Sequence, residues 1–320
     1  MAEVFKKIVV TGGAGFLGSR VVSLLQRRGH GEVYPLRSKE YNLLEQTEVR
    51  ALIEDQKPDL VIHSAAAIGG IGANRSEPGK YFYENAIMGV MLQEEARKGG
   101  VKKFLSIGTV CSYPKFTLVP FCEDNLWDGY PEETNGPYGL AKKMVMVQAQ
   151  AYRQQYGFNT VHLLMANLYG PGDNFDPEKS HVIPAMIKKC LEAKAARQDT
   201  IELWGDGSAS REFLHVDDAA MAVVLAAERY NQSDPINIGS GGEVTIKDLA
   251  VKVAAMTGFE GTFIWDTSKP NGQPRRKLDT SRARERFGFE QKVDFDYGLR
   301  ETIEWYQSST LVPSGTAGLH

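Results

Sequence analysis

The sequence predicts an α/β fold: a doubly wound parallel sheet followed by a smaller C-terminal α/β domain. Three observations carry this expectation. Short β-branched runs alternate with helical stretches through the first half, a glycine-rich turn follows the first of those runs, and the alternation loosens after Gly170. At 320 residues the chain has length for one large domain or two smaller ones.

KKIVVTG reads as the first strand, followed by a helix over 16–28, a strand in EVYPL, a helix in TEVRALIEDQ and a strand in DLVIHSAA. That order covers a parallel sheet with helices on both faces. A long helix over 85–99, the strand KKFLSIGT, a helix over 137–156 and the strand NTVHLLMAN continue it. Beyond them lie PGDNFDPEKSHVIPAM, IELWGDGSASREFLHVDD and a final block over about 241–306. The expected division gives 1–170, with a returning segment near 212–240, to the first domain. The second takes 171–211 and 241–307, and the small, polar, aperiodic residues 308–320 read as a disordered tail.

Lys and Arg total 37 against 40 Asp and Glu, a formal net charge of -3, so no global field draws the chain to nucleic acid or an anionic membrane. Any anion must be held locally. No run of about 18 apolar residues occurs, and the apolar stretch at the N-terminus is too short for a signal peptide, so a cytoplasmic protein is expected. Cys111, Cys122 and Cys190 show no metal-ligand spacing and are odd in number, which predicts neither a zinc site nor a disulfide framework.

Gly12, Gly15 and Gly18 form G-x-x-G-x-x-G between the first strand and the first helix. Glycine lets backbone approach a pyrophosphate, and a helix N-terminus offers free N–H groups. A tight turn before a helix would look the same in isolation. Inside a βαβ unit at the start of the chain, the pattern predicts a Rossmann-type dinucleotide site that also involves Phe16 and Leu17. At the end of the second strand, where an acidic residue selects the unphosphorylated ribose, the chain has Leu36-Arg37-Ser38-Lys39. Arg37 and Ser38, with Lys39 nearby, suit a 2'-phosphate, so NADPH is the expected cofactor; a solvated basic turn is the alternative.

Tyr138 and Lys142 lie four apart in NGPYGLAKKM, on one face of a helix that Pro137 can begin. A lysine beside the ring lowers the phenol's pKa, and the phenol can protonate a carbonyl as hydride arrives. Thr109, closing the preceding strand, could bond the same oxygen.

With these motifs the chain resembles the extended short-chain dehydrogenase/reductase family up to about Tyr306. Within it, AAAIGGIGAN (65–74), GTVCSYPK (108–115), NGPYGLAKK (135–143), ANLYGPGDNF (166–175), SHVIPAM (180–186), SREFLHVDD (210–218) and SKPNGQPRRKLD (268–279) are similar to blocks of the GDP-L-fucose synthases. The resemblance implies NADPH-dependent 3,5-epimerisation and 4-reduction of GDP-4-keto-6-deoxy-D-mannose by a homodimer. It makes Cys111 the base and His181 the acid of epimerisation, assigns Thr109, Tyr138 and Lys142 to reduction, and sets Lys142 and His181 beside the cofactor. Arg211 falls where the family binds diphosphate, and Asn167 and Trp204 match pocket positions. Lys189 and Arg276 fall at basic substrate contacts with lysine and arginine exchanged. Ala14 stands where some of these enzymes have arginine, and 117–134 is a divergent stretch expected to border the sugar. A 4-ketoreductase of a related GDP-deoxysugar or GDP-heptose, or a catalytically inactive NADPH-binding regulator, remains open on the same fold.

Overall fold

A computed structural model describes residues 3–177, 179–269 and 271–311. The N-terminal half alternates β1 (Lys7–Thr11), α1 (Phe16–Arg27), β2 (Glu32–Leu36), α2 (Gln46–Gln56), β3 (Leu60–His63), α3 (Ile71–Ser76), α4 (Pro78–Lys98), β4 (Lys103–Thr109), α5 (Gly136–Tyr156) and β5 (Asn159–Met165). Then come β6 (Asn167–Tyr169), α6 (Val182–Ala195), β7 (Thr200–Trp204), β8 (Ser210–Arg211), β9 (Phe213–His215), α7 (Val216–Arg229) and β10 (Ile236–Ile238). The chain closes with β11 (Val244–Thr245), α8 (Ile246–Thr257), β12 (Thr262–Asp266), β13 (Arg275–Arg276), α9 (Ser281–Phe287) and α10 (Phe295–Leu311).

A six-stranded parallel sheet runs β10-β5-β4-β3-β1-β2. Its strands alternate between two apolar cores, as a pleated sheet buried on both faces requires. Ile8, Val10, Leu60, Ile62 and Leu105 face the core that holds α1 and α7; Val9, Val61 and Phe104 face the one under α2 and α4. In α1 the buried positions Leu17, Val21 and Leu25 recur every four residues, giving one stripe to the sheet. The strand order reverses at β1, between β2 and β3, which opens a crevice at the carboxyl ends of the strands.

A further apolar core joins α6, α8 and α10 through Ile183, Met186, Ile187, Leu249, Val253 and Leu299. Small sheets border it: β12 with β7, and β11-β8-β13, with β6-β9 beside them. Two sequence expectations need correction. Helix α4 begins at Pro78 rather than near 85, because proline is tolerated in a first turn while the unbroken aromatic run Tyr81-Phe82-Tyr83 shows no helical alternation. Residues 308–311 continue α10 rather than starting a tail, and 312–320 lie outside the described residues. Among the described residues no helix is long and apolar enough to cross a membrane.

Glu212 joins these parts. Its side chain, on a residue 1% exposed between β8 and β9, accepts Gly241 N at 2.6 Å and Leu278 N at 2.7 Å. Burial raises its pKa against those donors. Gly239 makes room, since a Cβ there would sit 2.3 Å from Glu212 Oε1. Glu212→Ala strands two buried N–H groups, and urea unfolding should show a loss of about 2–4 kcal/mol.

Candidate active site

The glycine turn forms as its residue types dictate. Gly12 has a φ of +67°, and Gly15 N donates to Gly12 O at 2.9 Å. A Cβ on Gly18 would lie 2.1 Å from Gly12 O, so only glycine lets α1 start this close under the turn. Gly15 caps α1 without a side-chain bond, leaving the first-turn N–H groups to meet an anion. Gly12, Gly15, Phe16, Leu17 and Gly18, with Ala14, all line the main cavity. So do Arg37, Ser38 and Lys39 at the end of β2, where Glu40 Oε2 accepts Arg37 N at 2.7 Å.

The cavity measures about 1620 Å³ and extends to residues of β7, β8 and β13. A single small ligand fills roughly 300–1,000 Å³, so this space suits a dinucleotide together with a second nucleotide-sized molecule.

Its centre is set by one backbone contact. Thr109 Oγ1 accepts Cys111 N at 3.2 Å, capping a 3-10 turn over Val110–Ser112. That turn rests on the first turn of α5: Ser112 Oγ donates to Gly139 O at 3.0 Å, and a Cβ on Gly139 would lie 2.3 Å from Cys111 O. The contact brings Tyr138 beside Thr109 and Cys111. Burial raises the Tyr138 pKa, with the neighbouring thiol adding to it. Lys142 Nζ stands 6.0 Å from the ring centre, and its burial draws it down to about 8. Desolvation therefore outweighs the expected effect of the lysine, and the phenol keeps its proton, as a donor must.

Below this cluster lies a polar row absent from the sequence reading. Thr11, His63, Ser106 and His162 occupy neighbouring register positions on β1, β3, β4 and β5. Thr11 Oγ1 is 2.9 Å from His63 Nδ1, and Ser106 Oγ is 2.7 Å from His162 Nδ1. Burial, then the charge of Lys142, lowers both histidines to about 3, so both rings are neutral. Only their polarity inside apolar strands marked them.

The opposite wall carries cations. Arg211 and Arg276 are register partners on β8 and β13. Arg211 Nη1 donates to Ser210 O at 2.7 Å and Gln273 O at 2.6 Å, and burial followed by the charge of Arg276 lowers it to about 10. Two adjacent guanidiniums in a half-dry wall favour an anion between them. Arg276 Nε donates to Gln273 Oε1 at 2.8 Å, and Nη1 reaches Cys111 Sγ at 3.5 Å. That contact with the thiol was not legible from its motif.

His181 caps α6 on the cavity wall, where partial burial holds its imidazole below the ordinary value. Lys189 Nζ donates to Glu202 O at 3.0 Å, Asn167 Nδ2 donates to Glu212 O at 3.0 Å, and Trp204 stands 53% exposed at the end of β7. All three line the same cavity, as do Glu132 and Thr134 from the divergent stretch. Two polar groups on this wall went unread: Asp173 and Ser180, whose Oδ2 and Oγ are buried without a partner among the described residues. All three cysteines are free, and no group of three or more acidic, histidine or cysteine side chains among the described residues could hold a metal.

The profile of the NAD dependent epimerase/dehydratase family matches residues 8–239. The chain belongs to that family. It is 40% identical over 306 residues to GDP-L-fucose synthase 1 of Arabidopsis thaliana, covering 96% of this chain and 94% of that one. Among solved structures it superposes on a GDP-6-OMe-4-keto-L-xylo-heptose reductase from C. jejuni with a TM-score of 0.88, at 28% identity, covering 95% of this chain and 98% of that one. A GDP-L-fucose synthetase from Naegleria fowleri bound to NADP gives 0.86 at 26% identity, covering 96% of each chain.

Gly139→Ala tests the central contact. The added methyl forces the 110–112 turn away from α5 and separates Thr109 from Tyr138. Turnover should fall roughly 100-fold, and the melting temperature should drop as well because the clash is with backbone.

Proposed function

We propose that this family member catalyses the NADPH-dependent 3,5-epimerisation and 4-reduction of GDP-4-keto-6-deoxy-D-mannose to GDP-L-fucose. The observation that supports this most is the convergence of two pairs on one cavity with His181: Tyr138 beside Thr109, and Cys111 approached by Arg276. A reductase needs only the first pair. A thiol and an imidazole facing the same space are what inversion at two carbons adds.

The residues fit the cofactor at three points. The glycine turn, with Phe16 and Leu17, is a backbone cradle that any Cβ at Gly18 would close. Arg37 and Ser38 suit the 2'-phosphate, and Lys142 and His181 the nicotinamide end. When bound, NADPH supplies hydride.

The ketone at carbon 4 acidifies the protons on carbons 3 and 5. Cys111 removes them, Thr109 and Tyr138 hold the enolate oxygen by hydrogen bonds, and His181 returns a proton on the opposite face. The Arg276 guanidinium donates to the sulfur and orients it. In reduction Tyr138, kept protonated by its burial, gives its proton to oxygen 4, and the Lys142 cation stabilises the phenolate left behind. Arg211 and Arg276 meet the GDP diphosphate, and Asn167, Lys189 and Trp204 complete the pocket. On this reading 1–170 with 212–240 binds the cofactor, and 171–211 with 241–307 the sugar nucleotide. A cytoplasmic homodimer is part of the proposal, supported by exposed Phe82, Tyr83, Met144 and Val147 on the packed helices α4 and α5.

A 4-ketoreductase of a related GDP-deoxysugar or GDP-heptose is the second reading, favoured by likeness to the heptose reductase. Incubation with the keto-sugar and NADPH in heavy water separates the two. Deuterium at carbons 3 and 5 with NADPH oxidation is expected; oxidation without deuterium leaves the plain reductase, and no oxidation removes both.

In the same assay Cys111→Ser should lose deuterium exchange yet still reduce a pre-epimerised ketone. Tyr138→Phe should slow reduction by roughly 10²–10⁴ and slow exchange less, since Thr109 still bonds the enolate oxygen.

A further inference from the structure

Asp173 has no part in the chemistry above, yet it is a built feature of the cavity. The residue is 9% exposed and lines the wall in the loop between β6 and α6. Oδ1 accepts Asn174 N at 2.7 Å, while Oδ2 is sealed from solvent and has no hydrogen-bond partner among the described residues. A buried carboxylate oxygen left this way is costly; a protonated one that finds an acceptor is not.

The loop docks on the cofactor side of the cavity. Pro171 O accepts Arg20 Nη2 from α1 at 3.0 Å, and a Cβ on Gly172 would lie 3.9 Å from Phe16 at the glycine turn. A ligand seated on that turn lies on the same side of the cavity as this loop, and a turn of the carboxyl toward it would bring Oδ2 into reach. A dinucleotide brings negative charge and many acceptors, and repels an ionised carboxylate.

We propose that Asp173 meets the bound dinucleotide as a carboxylic acid, with Oδ2 donating its proton to an acceptor of the cofactor. This rests on the NADPH reading. Burial already raises the free carboxyl to about 7, so near neutrality a part of the molecules is ionised and takes one proton from solvent as NADPH binds. Other ionisable groups on the surrounding elements are Arg20 of α1, His215 and Asp217 where β9 meets α7, Glu301 of α10, Lys142 of α5, and Lys179 and His181 of the loop itself. Arg20 Nε lies 3.6 Å from Asp217 Oδ1, and His215 Nε2 lies 3.3 Å from Glu301 Oε2; none of these groups bonds to Asp173 Oδ2.

Calorimetric titration of NADPH into the full chain, in two buffers of widely different ionisation enthalpy, reads the proton directly. Near pH 7.5 the wild type should take up roughly 0.5–0.8 proton per NADPH more than Asp173→Asn, an excess that falls to about 0.1 near pH 6, while protons exchanged by the 2'-phosphate and by Lys142 cancel in the comparison. Asp173→Asn keeps a neutral donor of the same shape; it should bind within about threefold of wild type and lose that excess. Wild-type uptake no larger than that of Asp173→Asn near pH 7.5, or an excess that does not fall toward pH 6, overturns the inference. Failure of the wild type to bind NADPH overturns the cofactor reading instead, and this inference with it.

Discussion

The site hangs on a backbone contact in which a side chain has been left out. Because Gly139 has no Cβ, the first turn of α5 presses against the carbonyl of Cys111, and Ser112 locks the two together. The strand end, the 3-10 turn and the helix thereby become one rigid piece. Thr109, Cys111 and Tyr138 hold their relation through backbone packing rather than through long flexible side chains, which is how short-range geometry is best preserved. Lys142 follows one turn further along the same helix.

Around this piece the protein uses dehydration more than charge balance. Lys142 and Arg211 are cations with lowered pKa values because burial opposes them, and Arg211 also feels Arg276 beside it. Tyr138 is pushed the other way by the same cause. A cavity with unneutralised cations on its walls attracts anions although the chain as a whole carries -3. The neutral histidines beneath the floor fit this economy: protonating either would add a second positive charge close to Lys142.

What was legible in the sequence is what local backbone chemistry encodes. The glycine turn, the tyrosine and lysine on one helical face and the alternating strands each follow from a few adjacent residues. The start of α4 was missed because its first turn is amphipathic only weakly. Arg276 was legible as a basic position but not as the neighbour of Cys111, since that depends on β13 pairing with β8 in one register. Glu212 and Asp173 look like ordinary acids in a polar stretch. Only the fold shows that one is bonded by backbone donors while the other has an oxygen with no partner among the described residues. Burial is a property of the whole chain, and short motifs do not carry it.

The contact between Arg276 and Cys111 spans 165 positions of sequence. During synthesis the chain emerges from its N-terminus, so the dinucleotide cradle and the thiol are made long before the strand that brings the guanidinium. A partly made chain can thus assemble its nucleotide cradle while the Cys111 thiol still lacks this neighbour. The surroundings of the thiol are therefore completed only by the last quarter of the polypeptide.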